Sequence, residues 1–198
     1  MTDRMQEYSQ RLIRVLADTP WEVVNSLVVD LEKVWLEKRQ LFICGNGGSA
    51  GNAIHLANDF VYGIAKCTGG GLRATALSAN PAVLTCLAND LDYESIYSEQ
   101  LALLGNAEDL LLILSGSGNS GNVLQALHVA QHLSIKSYAI LGYDGGLCKE
   151  LADKAIHFPI NDMQIAEDLQ LIVGHMVMQE LSASRRDGRV VSQSQSSD

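Results

Sequence analysis

The sequence predicts an α/β fold: a single domain with a mainly parallel sheet and helices on both of its faces. Three observations carry this. Five short apolar runs, at residues 40–44, 74–77, 110–114, 138–141 and 155–158, have the length of strands. Helical segments separate them, which implies βαβ units rather than hairpins. Three of the runs end in glycine-rich turns, and open α/β sheets hold ligands beyond the carboxyl ends of their strands.

Ahead of the sheet, residues 1–39 read as a helical pair. Leu12, Ile13, Val15 and Leu16 form an apolar stripe on the first helix. Thr19 offers an N-cap and Pro20 a first helical residue for the second, where Val23, Val24, Leu27, Val28, Leu31, Val34 and Trp35 recur at helical spacing. Such a pair cannot bury its stripes alone, so it must pack on the rest of the domain or on another subunit. A last helix over residues 163–184 carries Ile165, Leu169, Ile172, Val173, Met176 and Leu181. Residues 185–198 are polar and serine-rich, the composition of a disordered tail. Residues 40–184 are thus expected to be the one folded unit, with no tandem repeat.

The 198 residues suffice for one domain with a good core. A formal net charge of −9 argues against direct nucleic-acid binding, which would need a basic face. It leaves room for anionic ligands, because backbone amides at helix N-termini hold phosphate even in an acidic protein. Cys44, Cys67, Cys86 and Cys148 are widely spaced, without C-x-x-C, and read as buried reduced thiols. The charged N-terminus has no signal-peptide core and no apolar run is long enough to span a bilayer, so a cytoplasmic location without membrane contact is expected.

The three turns are Gly45 to Ala50, Ser115 to Gly121 and Gly142 to Gly146. Glycines let backbone amides approach a ligand, helix N-termini add partial positive charge, and serine hydroxyls add donors. That combination suits a phosphate or a polyol. The first turn fits G-x-G-x-x-A and the second G-x-G-x-x-G. A dinucleotide site also wants an acidic residue at the end of the next strand, and here those strands end Ala76-Leu77-Ser78 and Ile140-Leu141-Gly142. No G-x-x-x-x-G-K-[ST] is present to support nucleotide hydrolysis.

Taken together, these residues resemble one family. Cys44 to Ala50 (Cys-Gly-Asn-Gly-Gly-Ser-Ala), with His55-Leu56-Ala57-Asn58-Asp59, is similar to the first motif of the phosphoheptose isomerases. These are sugar-isomerase (SIS) domain enzymes acting on sedoheptulose 7-phosphate. Leu87-Ala88-Asn89-Asp90 resembles their second motif and Ser115 to Ser120 their third, the phosphate loop. Glu167 and His175 fall where the family has a glutamine and, eight residues later, a histidine. The resemblance implies a five-stranded parallel sheet, a homotetramer and active sites shared between subunits. It implies that Asn46, Gly47, Gly48, Asn89 and Asp90 contact the sugar, and that Ser115, Gly116, Ser117 and Ser120 hold the phosphate. It further implies a zinc site at His55, Asp59, Glu167 and His175. Asp59 stands where a glutamate is usual, which draws the carboxylate back by a methylene. Glu167 replaces a neutral glutamine, which favours a divalent metal.

Ketose–aldose isomerisation moves a proton between neighbouring carbons through an enediol, and needs a base for the carbon-bound proton and an acid for the oxygens. His55 and Asp59, at i and i+4, share one helix face. A His/carboxylate set from two helices can be an acid–base pair, a metal site or both. With the resemblance, Asp59 is expected as the base, His175 as its partner acid, and Glu167 beside the substrate. Glu167 and Asp168 also suit the first turn of the last helix, where acids complement the dipole. His128, His132 and His157 read as ordinary histidines, and Trp21 and Trp35 as packing residues. Two other functions fit the fold. One is a non-catalytic SIS adaptor resembling the DnaA initiator-associating protein, and the other a sugar-phosphate sensor. The ionisable pair Asp59 and His175 favours an enzyme over either.

Overall fold

The computed structural model describes residues 2–186. Most of the segment expected to be a disordered tail lies outside these residues. Helices α1 (Thr2–Ala17) and α2 (Trp21–Leu36) precede β1 (Gln40–Cys44) and α3 (Gly48–Asn58). A π-helical turn, Asp59–Gly63, continues α3 and leads to α4 (Ala65–Thr68), β2 (Arg73–Ala76), α5 (Pro81–Asp90) and α6 (Ser95–Leu104). Then come β3 (Leu110–Ser115), α7 (Gly121–His132), β4 (Lys136–Leu141), α8 (Cys148–Leu151), β5 (Lys154–His157) and α9 (Met163–Arg186). Every strand pairing is parallel, in the order β2-β1-β3-β4-β5.

Strand periodicity builds two cores. Along β3, Leu110, Leu112 and Leu114 pack with α2, α3 and α9, while Leu111 and Ile113 face α6, α7 and α8. In β1, Leu41 and Ile43 divide from Phe42 and Cys44 in the same way. Both faces are covered, as a parallel sheet requires. Among the described residues no buried side-chain polar atom lacks a partner, and no helix is long and apolar enough to cross a membrane.

Several local expectations shift. Thr19 does not cap α2; its hydroxyl donates to Leu16 O at 2.7 Å, closing α1, and Pro20 takes the cap position before Trp21. Ile13 is exposed, so the buried stripe of α1 is Tyr8, Leu12, Val15 and Leu16. Arg185 belongs to α9 rather than to the tail, with its guanidinium 4.6 Å from the centre of the Trp35 ring. Of the four cysteines only Cys44 and Cys148 are buried, and Cys67 and Cys86 are exposed. Burial pushes the Cys148 thiol up to about 12 and also raises that of Cys44, which keeps both protonated.

Helix α1 is tied to α9 by two polar contacts. Tyr8 donates to Asp168 Oδ2 at 2.5 Å, and Arg11 Nη2 lies 2.8 Å from Asp162 Oδ2. Burial, reinforced by Asp168, raises the Tyr8 phenol to about 12. Asp162 immediately precedes α9, and its Oδ1 accepts from Ile165 N–H at 3.2 Å, as an N-cap does. That N–H, and behind it Arg11, hold the Asp162 carboxyl below its ordinary value. Because the folded value is depressed, this stabilisation is complete above the unfolded carboxylate range and is lost as pH falls through the folded value. Asp162→Ala should therefore cost about 1 kcal/mol in denaturant unfolding at neutral pH. The gap to the parent protein should close on acidification, and unchanged stability at neutral pH would contradict the capping role.

Candidate active site

Three helices begin at one place. At the carboxyl ends of β1 and β3, a cavity of about 270 Å³ is lined by residues that include Asn46, Gly47, Gly48, Ser115, Ser117 and Ser120. Helix α3 starts at Gly48, α7 follows Ser120, and α9 starts at Met163, which also lines the cavity with Glu167. The starts of α3 and α7 present unpaired amides and partial positive charge, whereas that of α9 is capped by Asp162. The cavity thereby suits an anion although no cationic residue lines it.

The serine turn is held in shape from below. Ser115 Oγ accepts from Gly118 N–H at 3.0 Å. Gly118 has φ +67°, and a Cβ there would overlap the Gly145 carbonyl, so both conformation and space require glycine. Cys148 N–H donates to Gly118 O at 2.9 Å, and Leu147 N–H to Asn119 Oδ1 at 3.0 Å. The third glycine-rich turn thus buttresses the serine turn. The first turn is fixed by two groups that its own motif does not contain. Asn46 and Asn122 exchange amide hydrogen bonds of 2.8 and 2.9 Å, and Tyr97 donates to Gly45 O at 2.5 Å.

Helices α3 and α9 run side by side in the same direction. Asn52 Nδ2 donates to Glu167 O and to Gln170 Oε1, both at 3.0 Å, and the buried Gln170 donates to Ser49 Oγ at 3.0 Å. Further along, a Cβ on Gly174 would strike Leu56. The Glu167 carboxylate lies over Gly48, where a Cβ would overlap it, so glycine is what lets this acid enter the cavity.

Two turns beyond Gly48, three side chains converge. His55 Nε2 and His175 Nε2 are 2.9 Å apart, and Asp59 Oδ2 is 3.3 Å from each. Asp59 heads the π-helical turn, a distortion common at functional sites. Despite being shorter than glutamate, it reaches both imidazoles. Zinc with tetrahedral ligands at about 2.0–2.1 Å separates its donor atoms by roughly 3.3 Å, so the triangle fits such an ion. Three lone pairs meeting here call for a shared proton or a cation between them. The imidazoles are 49% and 41% exposed, open to a ligand from outside.

The expected residues therefore divide. Asn46, Gly47, Gly48, Ser115, Gly116, Ser117, Ser120 and Glu167 line the cavity, while His55, Asp59 and His175 form the cluster. Glu167 does not join that cluster as a fourth ligand. It lies eight residues before His175, about 12 Å along the helix, and points at the cavity instead. Asn89 and Asp90 do not line the cavity; they are exposed at the end of α5, where Asn89 Nδ2 donates to Asp90 Oδ1 at 2.8 Å. Sequence reasoning missed Tyr97, Asn122, Asn52 and Gln170. Only Gln170 left a trace, as an amide between leucines on an apolar helix. The others act through partners more than 50 residues away.

Residues 5–142 match the family model of the SIS domain. A phosphoheptose isomerase of Helicobacter pylori (strain P12) is 36% identical over 172 residues, covering 87% of this chain and 87% of the relative. That of Akkermansia muciniphila is 34% identical over 180 residues, covering 87% of this chain and 94% of the relative. The solved phosphoheptose isomerase of Neisseria gonorrhoeae superposes with a TM-score of 0.83 at 26% identity, over 91% of this chain and 98% of that one. The motifs, the five-stranded parallel sheet and these relatives agree: the chain belongs to the SIS-domain phosphoheptose isomerase family.

Proposed function

We propose that this protein interconverts sedoheptulose 7-phosphate and D-glycero-D-manno-heptose 7-phosphate through an enediol. One observation carries the reading: helix α3 links a serine-lined cavity at its first residue to a His/Asp cluster at its far end. Seven residues of helix separate Gly48 from His55, about 10 Å, a length suited to an extended sugar phosphate. The serine turn and the starts of α3 and α7 hold the phosphate. Asn46 and Glu167 flank the sugar chain next to it.

At the carbonyl end, Asp59 takes the proton from the carbon beside the carbonyl while His175 gives one to the carbonyl oxygen, forming the enediol. Return of a proton from Asp59 to the former carbonyl carbon, with removal of a hydroxyl proton from the neighbouring carbon by His175, completes the exchange. The donor spacing at His55, Asp59 and His175 supports zinc there. When bound there, the metal would supply a Lewis acid for the sugar oxygens in place of the proton from His175, whose Nε2 it would occupy. We also propose a homotetramer with shared sites. The exposed apolar residues Trp21, Val29 and Met176 on α2 and α9, and the position of Asn89 and Asp90 outside the cavity, support it. The product would feed heptose synthesis for lipopolysaccharide, capsule or another glycoconjugate.

Incubation with sedoheptulose 7-phosphate, with and without zinc, followed by NMR, should show aldose formation. Asp59→Asn and His175→Ala should each reduce turnover by at least about 100-fold with an unchanged circular dichroism spectrum. Near-normal turnover in either would remove the acid–base assignment. Elemental analysis of protein loaded with zinc and desalted should find about one ion per chain, and His55→Ala should lose it. Retention of full occupancy in that variant would place the metal elsewhere.

A further inference from the structure

A second cavity, about 330 Å³, opens at the opposite end of the sheet from the serine turns. It lies at the amino ends of β1, β2 and β3, and three cations line it: Lys38, Arg39 and Arg73. In a chain with a net charge of −9 this concentration of positive charge needs a cause. The carboxylates nearby offset it only in part: Asp109 lines the cavity, and Glu37 and Glu108 lie near Arg39. Asp109, the acid lining the cavity, is buried, and its two oxygens accept the Gln40 and Asn106 N–H groups at 2.8 Å each. Glu37 Oε2 is 3.9 Å from Arg39 Nε, beyond hydrogen-bonding distance. Among the described residues, neither Lys38 nor Arg73 forms an ion pair.

The cations are also placed rather than loose. Arg73 Nη1 donates to Lys38 O at 3.1 Å and Arg39 Nη1 to Ala107 O at 3.4 Å, which leaves the other donors of each guanidinium unused. Lys38 itself has φ +57°, a left-handed conformation at the end of α2 where glycine is the usual, less strained residue. With three cations against the one acid that lines the cavity, positive charge is in excess there, and the repulsion among the cations is relieved when an anion binds between them. Phe42 at the base and the exposed Leu104 at the rim add apolar surface for an organic portion.

We infer that this cavity is a second anion site, binding a small phosphorylated metabolite with at least two negative charges. It lies at the far end of β1 from the sugar cavity and does not depend on the isomerase reading.

The test is calorimetric titration with inorganic pyrophosphate at low ionic strength, using Ser117→Asp protein so that the serine turn repels the probe. Ser120→Asp replaces it if the first variant does not fold. Pyrophosphate should bind once per chain. Adding Arg39→Gln with Arg73→Gln, or separately Lys38→Gly, should weaken it at least tenfold. Lys38→Gly suits the left-handed backbone and keeps the test valid if the double arginine variant is unstable. No binding to the serine-turn variant, or a loss below tenfold in the cation variants that fold, would overturn the assignment.

Discussion

The parallel alignment of α3 with α9 is the constraint on which the rest of the site depends. Their register is set by the buried Gln170, bonded to Ser49 and Asn52, and by the contact of Leu56 with Gly174. With that register, the starts of both helices reach the serine turn. Two turns on, His55 and Asp59 meet His175. A slip of one turn would move the imidazole by about 5 Å, dissolve the cluster and take Leu56 off Gly174. Polar contacts are suited to fixing register, because a buried amide left without its partner costs about 1–3 kcal/mol.

The two proposed anion sites differ in the charges they present. At the serine-lined cavity the chain has helix starts and hydroxyls, whose partial charges are fixed by the backbone. At the amino ends of the strands it uses whole charges on long side chains. The serine-lined cavity also takes in an acid, Glu167, whose carboxylate lies over Gly48.

Much of the binding geometry is formed before any ligand arrives. The serine turn is bonded internally through Ser115 and externally to the 142–148 turn, and the first turn is clamped by Tyr97 and the Asn46–Asn122 pair. Such support lowers the ordering cost of binding. The His/Asp cluster is more open, with its imidazoles 49% and 41% exposed.

Local chemistry made several features legible in the sequence alone. The apolar runs marked all five strands, with ends displaced by a residue or two; the signal is strongest in β1, β3 and β4, which are buried on both faces, and weaker in the edge strands β2 and β5. Asn46, Gly48, Ser115 and Ser117 were legible because turn-forming glycines beside serines have few other uses. The His55–Asp59 pair was legible because helical spacing alone puts i and i+4 together. What needed the tertiary structure was everything that joins distant segments. The register of α3 on α9 assigned His175 to the cluster and Glu167 to the cavity, although both lie on one helix. The folding of residues 38, 39, 73 and 109 to one end of the sheet created a charged cavity that no motif announces. Spacing along a helix or strand is fixed by covalent geometry and can be read directly, whereas contact between elements is decided only when the two cores close around the sheet.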